Sequence, residues 1–278
     1  MSADQQDAFV GIDVAFAKNK VLPMSVCISP AGRPLDILPL RVSFEKPPAG
    51  RGNVLALDEP TRRQFAEDVL AWIEKLEQDK RLKVRRIAID APSGYCRDAS
   101  GRRAAERSLD ESGISCFATP TEEEFEAKVQ ASRKFLADGG KPSRLPNANQ
   151  LWMLVGFELF RTLRRRYECI ETYPQAVVRQ LRCASQHKST EQGLQSQIGE
   201  AAKVLEVSPT DMRAKLLAMG FGSTHDRLDA FLSAWVASLD EGHRKAFGTP
   251  PDDVIWVPQV MAVTQAQESS FAEIGRQR

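Results

Sequence analysis

Three short apolar runs that end on, or just past, a carboxylate constrain this chain most: Phe9-Val10-Gly11-Ile12-Asp13, Arg86-Ile87-Ala88-Ile89-Asp90 and Cys169-Ile170-Glu171-Thr172-Tyr173. Each reads as a buried strand, the last stopped by Pro174. Val21 to Ser29 supplies another strand, and Pro30-Ala31-Gly32-Arg33 turns it into a third around Leu35 to Phe44, completing an antiparallel meander. Glu45 to Pro60, with Pro47-Pro48 and Gly50-Arg51-Gly52, reads as a loop. Thr61 is placed to cap a helix running to about Lys80, with Phe65, Val69, Trp72, Ile73 and Leu76 on one face. The chain therefore opens β-β-β-α-β.

Residues 93–150 read as an insertion outside that alternation. It holds a short helix near Arg102 to Glu111 and a second opened by Thr119-Pro120-Thr121-Glu122, where Thr119 and Glu122 have capping-box spacing. Gly139-Gly140 ends the second helix, and Lys141 to Ala148 is a loop. Leu151 to Arg166 is a strongly apolar helix closed by arginines. A second insertion, 175–222, carries helices near 190–206 and 209–219. The last helix opens near Thr224 with Leu228, Phe231, Leu232, Trp235, Val236 and Leu239 as its buried stripe. Val254 to Val257 is a candidate final strand. One domain is expected over 8–260, with a mobile tail over 261–278.

The carboxylates carry the chemistry. Strand ends on one edge of an α/β sheet are where ligand and catalytic groups gather, which singles out Asp13, Asp90 and Glu171. His225-Asp226-Arg227-Leu228-Asp229 adds two acids three residues apart on one helix face. Acids crowded together repel unless a cation neutralises them, and hard oxygen donors select Mg²⁺ or Mn²⁺. Asp13, Asp90, Asp226 and Asp229 are the candidate metal ligands and, with Glu171, the candidate catalytic set. Singly, each acid has a plainer use: Asp13 and Asp90 in turns, Glu171 against an arginine, Asp226 as a helix cap.

Composition narrows the alternatives. The five cysteines (Cys27, Cys96, Cys116, Cys169 and Cys183) are scattered without C-x-x-C spacing, so a disulfide framework or zinc knuckle is not expected. Only His187, His225 and His243 are present, too dispersed for a histidine cage. A net charge of +1 argues against a protein that coats nucleic acid nonspecifically. No apolar run reaches the roughly 18 residues of a membrane span, and the first residues lack the pattern of a signal peptide, so the expectation is a soluble cytoplasmic protein.

The motifs Gly11-Ile12-Asp13, Ala88-Ile89-Asp90-Ala91-Pro92, Ile170-Glu171-Thr172-Tyr173-Pro174 and His225-Asp226-Arg227-Leu228-Asp229-Ala230, with Gly113 to Pro120 between them, resemble the family known as domain of unknown function 429. That family is predicted to comprise RNase H-like nucleases. The first, second and last motifs are also similar to those of Holliday-junction resolvases. The resemblance implies an α/β fold with an RNase H-like mixed sheet, a three-strand antiparallel meander followed by alternating helices and strands, and helical insertions. It implies that the strands of Asp13 and Asp90 lie side by side, with Glu171 on the next strand and Asp226 and Asp229 brought over the same edge. Asp90 stands where the resolvase pattern has glutamate.

A metal-dependent phosphodiester hydrolase, a nuclease acting on DNA or RNA, is the leading expectation. Lys18, Arg97 and Arg103 are the candidate phosphate contacts, since arginine pairs with phosphate bidentately; Arg103 and Arg107 could instead pair with Glu106 and Asp110. No aromatic interleaves with these arginines along the sequence as a single-strand stacking platform would. The alternative is a non-catalytic RNase H-like scaffold that binds nucleic acid or a partner protein. An actin-like ATPase would need a glycine-rich phosphate turn after Asp13, and Asp13-Val14-Ala15-Phe16-Ala17-Lys18 has none.

Overall fold

The computed structural model describes residues 5–29, 35–181, 183 and 190–259. The elements in chain order are β1 (Gln6–Asp13), β2 (Met24–Ile28), β3 (Asp36–Ile37), α1 (Leu40–Ser43), α2 (Asn53–Ala56), α3 (Glu59–Lys80), β4 (Leu82–Asp90), α4 (Ala104–Glu111) and α5 (Glu122–Ala137). They continue with α6 (Leu151–Leu163), β5 (Glu168–Glu171), α7 (Pro174–Gln180), α8 (Glu191–Val204), α9 (Pro209–Met219), α10 (Thr224–Ser238), β6 (Arg244–Thr249) and β7 (Asp253–Pro258).

The first five strands form one mixed sheet in the order β3-β2-β1-β4-β5. β1 pairs antiparallel with β2 and parallel with β4, which pairs parallel with β5. The order β-β-β-α-β is therefore met, and the strands of Asp13 and Asp90 are neighbours. Both faces are covered. Val10, Ile12, Ile87 and Ile89 pack with α3 and α6 residues such as Phe65, Val69, Leu154 and Phe160. Ala88, Cys27 and Ile170 pack on the other side with Phe231, Ala234 and residues of α7 to α9. Among the described residues, neither 93–150 nor 175–222 adds a strand to this sheet.

Gly11 sets how closely α10 lies on the sheet. A Cβ there would come within 2.0 Å of the Ala230 carbonyl oxygen and 2.3 Å of the Ala234 nitrogen. Only a residue without a side chain lets helix backbone touch strand backbone in this way.

Several elements depart from the sequence expectation for identifiable reasons. The third strand shrinks to Asp36–Ile37 because Pro39 cannot donate to a ladder; Leu38 still donates to the Val26 carbonyl, and after Pro39 the chain turns into α1. Pro23 precedes β2, so Val21 makes only an isolated bridge to Ala49. The turn over 30–33 and the tail over 261–278 lie outside the described residues.

α3 starts two residues before Thr61, with Asp58 as its cap accepting from the Thr61 nitrogen and Pro60 in its first turn. The capping box of α5 is Thr121 with Glu124, two residues later than expected, because Thr119 is committed to Glu106. Pro174 both stops β5 and opens α7, a helix not expected from the sequence. The final strand, β7, pairs with β6 in a separate hairpin rather than joining the sheet. Trp235 and Leu239 are only half-buried.

The close contact at Gly11 predicts that Gly11→Ala destabilises the fold by about 1–3 kcal/mol or more, as overpacking does. Gly94→Ala, where a Cβ meets open space, is the control. Urea denaturation midpoints compare the two, and a parent-like midpoint for Gly11→Ala would contradict the packing of α10 on β1.

Candidate functional site

Asp13 and Asp90 end β1 and β4 and stand directly opposite each other in the parallel register, Asp13↔Asp90. Side chains alternate along a strand and neighbouring strands lie about 4.7–4.9 Å apart. Ile12 and Ile89 belong to the α3/α6 core, whereas Gly11 and Ala88 face the α10 side. Two residues on from Gly11 and Ala88, the aspartates fall on that second side, and both are half-buried.

α10 runs antiparallel to β1. Its Ala230 and Ala234 lie over Gly11, while Gly222, just before the helix, approaches Pro23, whose carbonyl accepts from the Asp13 nitrogen at 3.1 Å. The N-terminal half of α10 thus overlies the strand edge that carries Asp13 and Asp90. Asp229, 6% exposed, sits on that half next to Ala230.

Asp226 is engaged locally. It accepts from the Ser223 backbone nitrogen at 2.8 Å, completing a capping box, and from the Lys20 ammonium at 3.1 Å. Burial alone would raise its pKa. The Ser223 N–H, the Lys20 ammonium and the Ser223 hydroxyl outweigh burial and hold the carboxyl below its usual value. Asp226 is therefore not held up by crowding with like charges. Among the described residues, no group of three or more His, Cys, Asp or Glu side chains is arranged to hold a metal ion.

Glu171, on the next strand as expected, pairs in register with Ile89 rather than with Asp90, and the buried Arg103 takes it. The Arg103 guanidinium grips both Glu171 oxygens, one at 2.9 Å, and its Nε donates to Glu106 at 3.1 Å. Glu171 also accepts from the Ser93 nitrogen, and Glu106 from the Thr119 nitrogen, each at 2.9 Å. Burial works against the charged guanidinium, but Glu171 and Glu106 more than offset it and raise the Arg103 pKa. The structure thus turns Arg103 inward, where a phosphate could reach it only by displacing Glu171.

Arg97 is exposed and lines an open cleft with Tyr95, Asp98 and Arg164; Lys18 is exposed on the β1–β2 connection, its Cβ packed near Gly52. Arg107 pairs with Asp98 and Arg102 with Asp110, so only Arg103–Glu106 matches the local pairing open in the sequence. The arginines closing α6 clamp it to α3 through Arg165–Glu67 and Arg166–Glu74. Asp90 borders two clefts, one shared with Phe117, Trp152 and Tyr173, the other with Gly113, Ser115, Gln175 and Arg179. Both expected insertions thus contribute residues beside Asp90. Lys20 and the three aromatics escaped the sequence reading: Lys20 carries no motif, and the aromatics come from distant segments.

Two expectations follow. Removing one partner of a buried ion pair strands the other charge, so Glu171→Ala should cost about 3–5 kcal/mol in urea denaturation; a loss near zero would mean that water already reaches Arg103. For Asp226, a depressed folded-state pKa contributes stability above the unfolded value, lost as pH falls through the folded one. Asp226→Asn should therefore be less stable than the parent at neutral pH by about 0.5–1 kcal/mol, as for a partly exposed pair. The two melting temperatures should converge in acid, and a gap that persists below the folded pKa would exclude the Lys20 pairing as its source.

No curated protein and no solved structure matches the chain significantly. Among the described residues no helix is long and apolar enough to cross a membrane. The family described as protein of unknown function DUF429 matches residues 46–253, about three quarters of the chain, including Asp90, Glu171, Asp226 and Asp229 but not the strand of Asp13. By that match the chain belongs to the DUF429 family.

Proposed function

We propose that the five-stranded sheet is RNase H-like and that the chain is a metal-dependent phosphodiester hydrolase acting on nucleic acid. The observation that carries this reading is the in-register pair Asp13↔Asp90 at the ends of adjacent parallel strands, under the N-terminal half of α10. The sheet order and the antiparallel meander preceding two parallel strands support the fold assignment.

Two carboxylates fit Mg²⁺ or Mn²⁺, which commonly bind through one or two acids and complete their shells with water and substrate oxygens. Asp13 and Asp90 would hold the ion, with Asp229 as a further donor and Asp226 able to join on releasing Lys20. When bound, such an ion supplies positive charge at the scissile phosphate and lowers the pKa of water. The exposed Lys18 and Arg97 hold flanking phosphates. Arg103 and Glu171 act as positioning residues that fix the ends of β4 and β5. Among cellular compartments the reading fits the cytoplasm, where nucleic acid is the partner.

A specific observation favours a second reading, a non-catalytic scaffold that binds nucleic acid or a protein: Glu171 and Asp226 already have partners, and no three-ligand cluster is preformed among the described residues.

Labelled single-stranded, duplex and branched DNA and RNA, incubated with Mg²⁺ or Mn²⁺, separate the two. The hydrolase reading expects cleavage that EDTA abolishes and that Asp13→Asn or Asp90→Asn lowers by at least about 100-fold, the upper range for loss of even an outer-shell metal partner. Undiminished cleavage by Asp13→Asn sinks the mechanism. Absence of both cleavage and calorimetric metal binding by the folded parent favours the scaffold.

A further inference from the structure

Beside Asp90 lies an open-mouthed cleft walled by Phe117, Trp152 and Tyr173. Phe117 is 61% exposed, the one aromatic among the large exposed hydrophobics of the described residues. Its loop is nevertheless fixed. The Ser115 carbonyl accepts from the Tyr173 hydroxyl at 3.0 Å, and the Cys116 carbonyl from Arg102 at 3.3 Å. On the other side, the Thr119 nitrogen donates to Glu106 at 2.9 Å and the Pro120 carbonyl accepts from the Cys96 nitrogen at 3.1 Å. Trp152 is oriented by its Nε1–H, which donates to the Asn149 carbonyl at 2.9 Å. Three aromatic residues from three distant segments thus line one cleft, and Phe117, on a hydrogen-bonded loop, faces solvent.

An exposed ring on a tethered loop offers a π-face to a planar partner without the loop having to be ordered first. The deeper wall decides what kind of partner. Arg103 is spent on Glu171 and Glu106, and Asp90 adds another acid, so carboxylates outnumber guanidinium groups along the cleft. Phosphate is disfavoured there, whereas a neutral heterocycle is not. A base inside a duplex has both faces covered, so it can stack on a protein ring only when unpaired or extruded.

We infer that this cleft takes an unpaired nucleobase, stacked on Phe117, leaving the adjoining phosphate outside the cleft. The inference rests on the nucleic-acid reading above for its substrate class. It makes Phe117 a specificity residue for single strands, or for a base drawn out of a duplex.

The test measures binding by the full chain in EDTA, where no cleavage occurs. A short single strand containing 2-aminopurine should bind with quenched fluorescence, and more tightly than the same sequence in a duplex. Phe117→Ala should raise Kd by about 5- to 100-fold, the range for loss of one base–aromatic stack, and remove the quench. Phe117→Leu, which keeps apolar volume, should behave likewise, and Phe117→Tyr should restore both. Displacement by free deoxyadenosine monophosphate at similar concentration would identify a nucleotide as the source of the base, and failure to displace a strand; either result supports the inference. Parent-like affinity and quenching in a folded Phe117→Ala or Phe117→Leu variant overturns it. So does tighter binding of the duplex, or no binding of the single strand by the parent. Cleavage is scored separately. Binding that depends on Phe117 without cleavage retires the hydrolase and keeps the cleft, whereas cleavage indifferent to Phe117 retires the cleft and keeps the hydrolase.

Discussion

The approach of α10 to β1 at Gly11 fixes the geometry on which the candidate site depends. Helices and sheets ordinarily stand apart by the thickness of two layers of side chains. Here the helix backbone at Ala230 and Ala234 meets the strand backbone directly, because residue 11 has no side chain. Contact so close leaves the helix little freedom to slide along the strand or rotate about its own axis. It therefore sets which residues of α10 lie toward the strands, and Asp229 is buried on the same half of the helix. The sheet contributes the other half of the constraint, since the parallel register of β1 and β4 places Asp13 and Asp90 level.

Much of this was legible in the sequence. Apolar runs bounded by turns identified β1, β4 and β5, and the five residues of the periodic stripe of α3 are all among the eight that the helix buries. The departures share a cause, which is that distant partners compete with the local signal for the same group. Thr119 has the spacing of a cap but is drawn to the buried Glu106, so Thr121 takes the role. Residues 35–44 look strand-like in composition, yet Pro39 withholds a donor and ends the ladder. β6 has no distinctive pattern and exists because β7 gives it a partner.

The candidate site was legible only in part, for a different physical reason. Strand ends locate Asp13, Asp90 and Glu171 along the chain, but the pairing of a carboxylate is a long-range property. Glu171 meets Arg103 across 68 residues and Asp226 meets Lys20 across 206. No local pattern distinguishes an acid aimed at solvent from one claimed by a distant cation. The aromatic cleft shows the same limit: no ring interleaves with the arginines in sequence, and yet Phe117, Trp152 and Tyr173 share one cavity.

These pairings bear on how acids can gather near one end of the sheet. The N-terminus of α10 points toward that edge and carries the positive end of the helix dipole, which favours nearby carboxylates over the first turn. Lys20 adds a full positive charge at Asp226, and Arg103 neutralises Glu171 and part of the charge on Glu106. The peripheral acids are thereby compensated by the protein itself. Asp13 and Asp90 are brought level by strand register. Register is held by the β1–β4 ladder, unbroken from Phe9↔Arg86 to Asp13↔Asp90, and by the two cores that cover it. Backbone pairing along the two strands thus holds residues 13 and 90 side by side, independently of what their side chains contact.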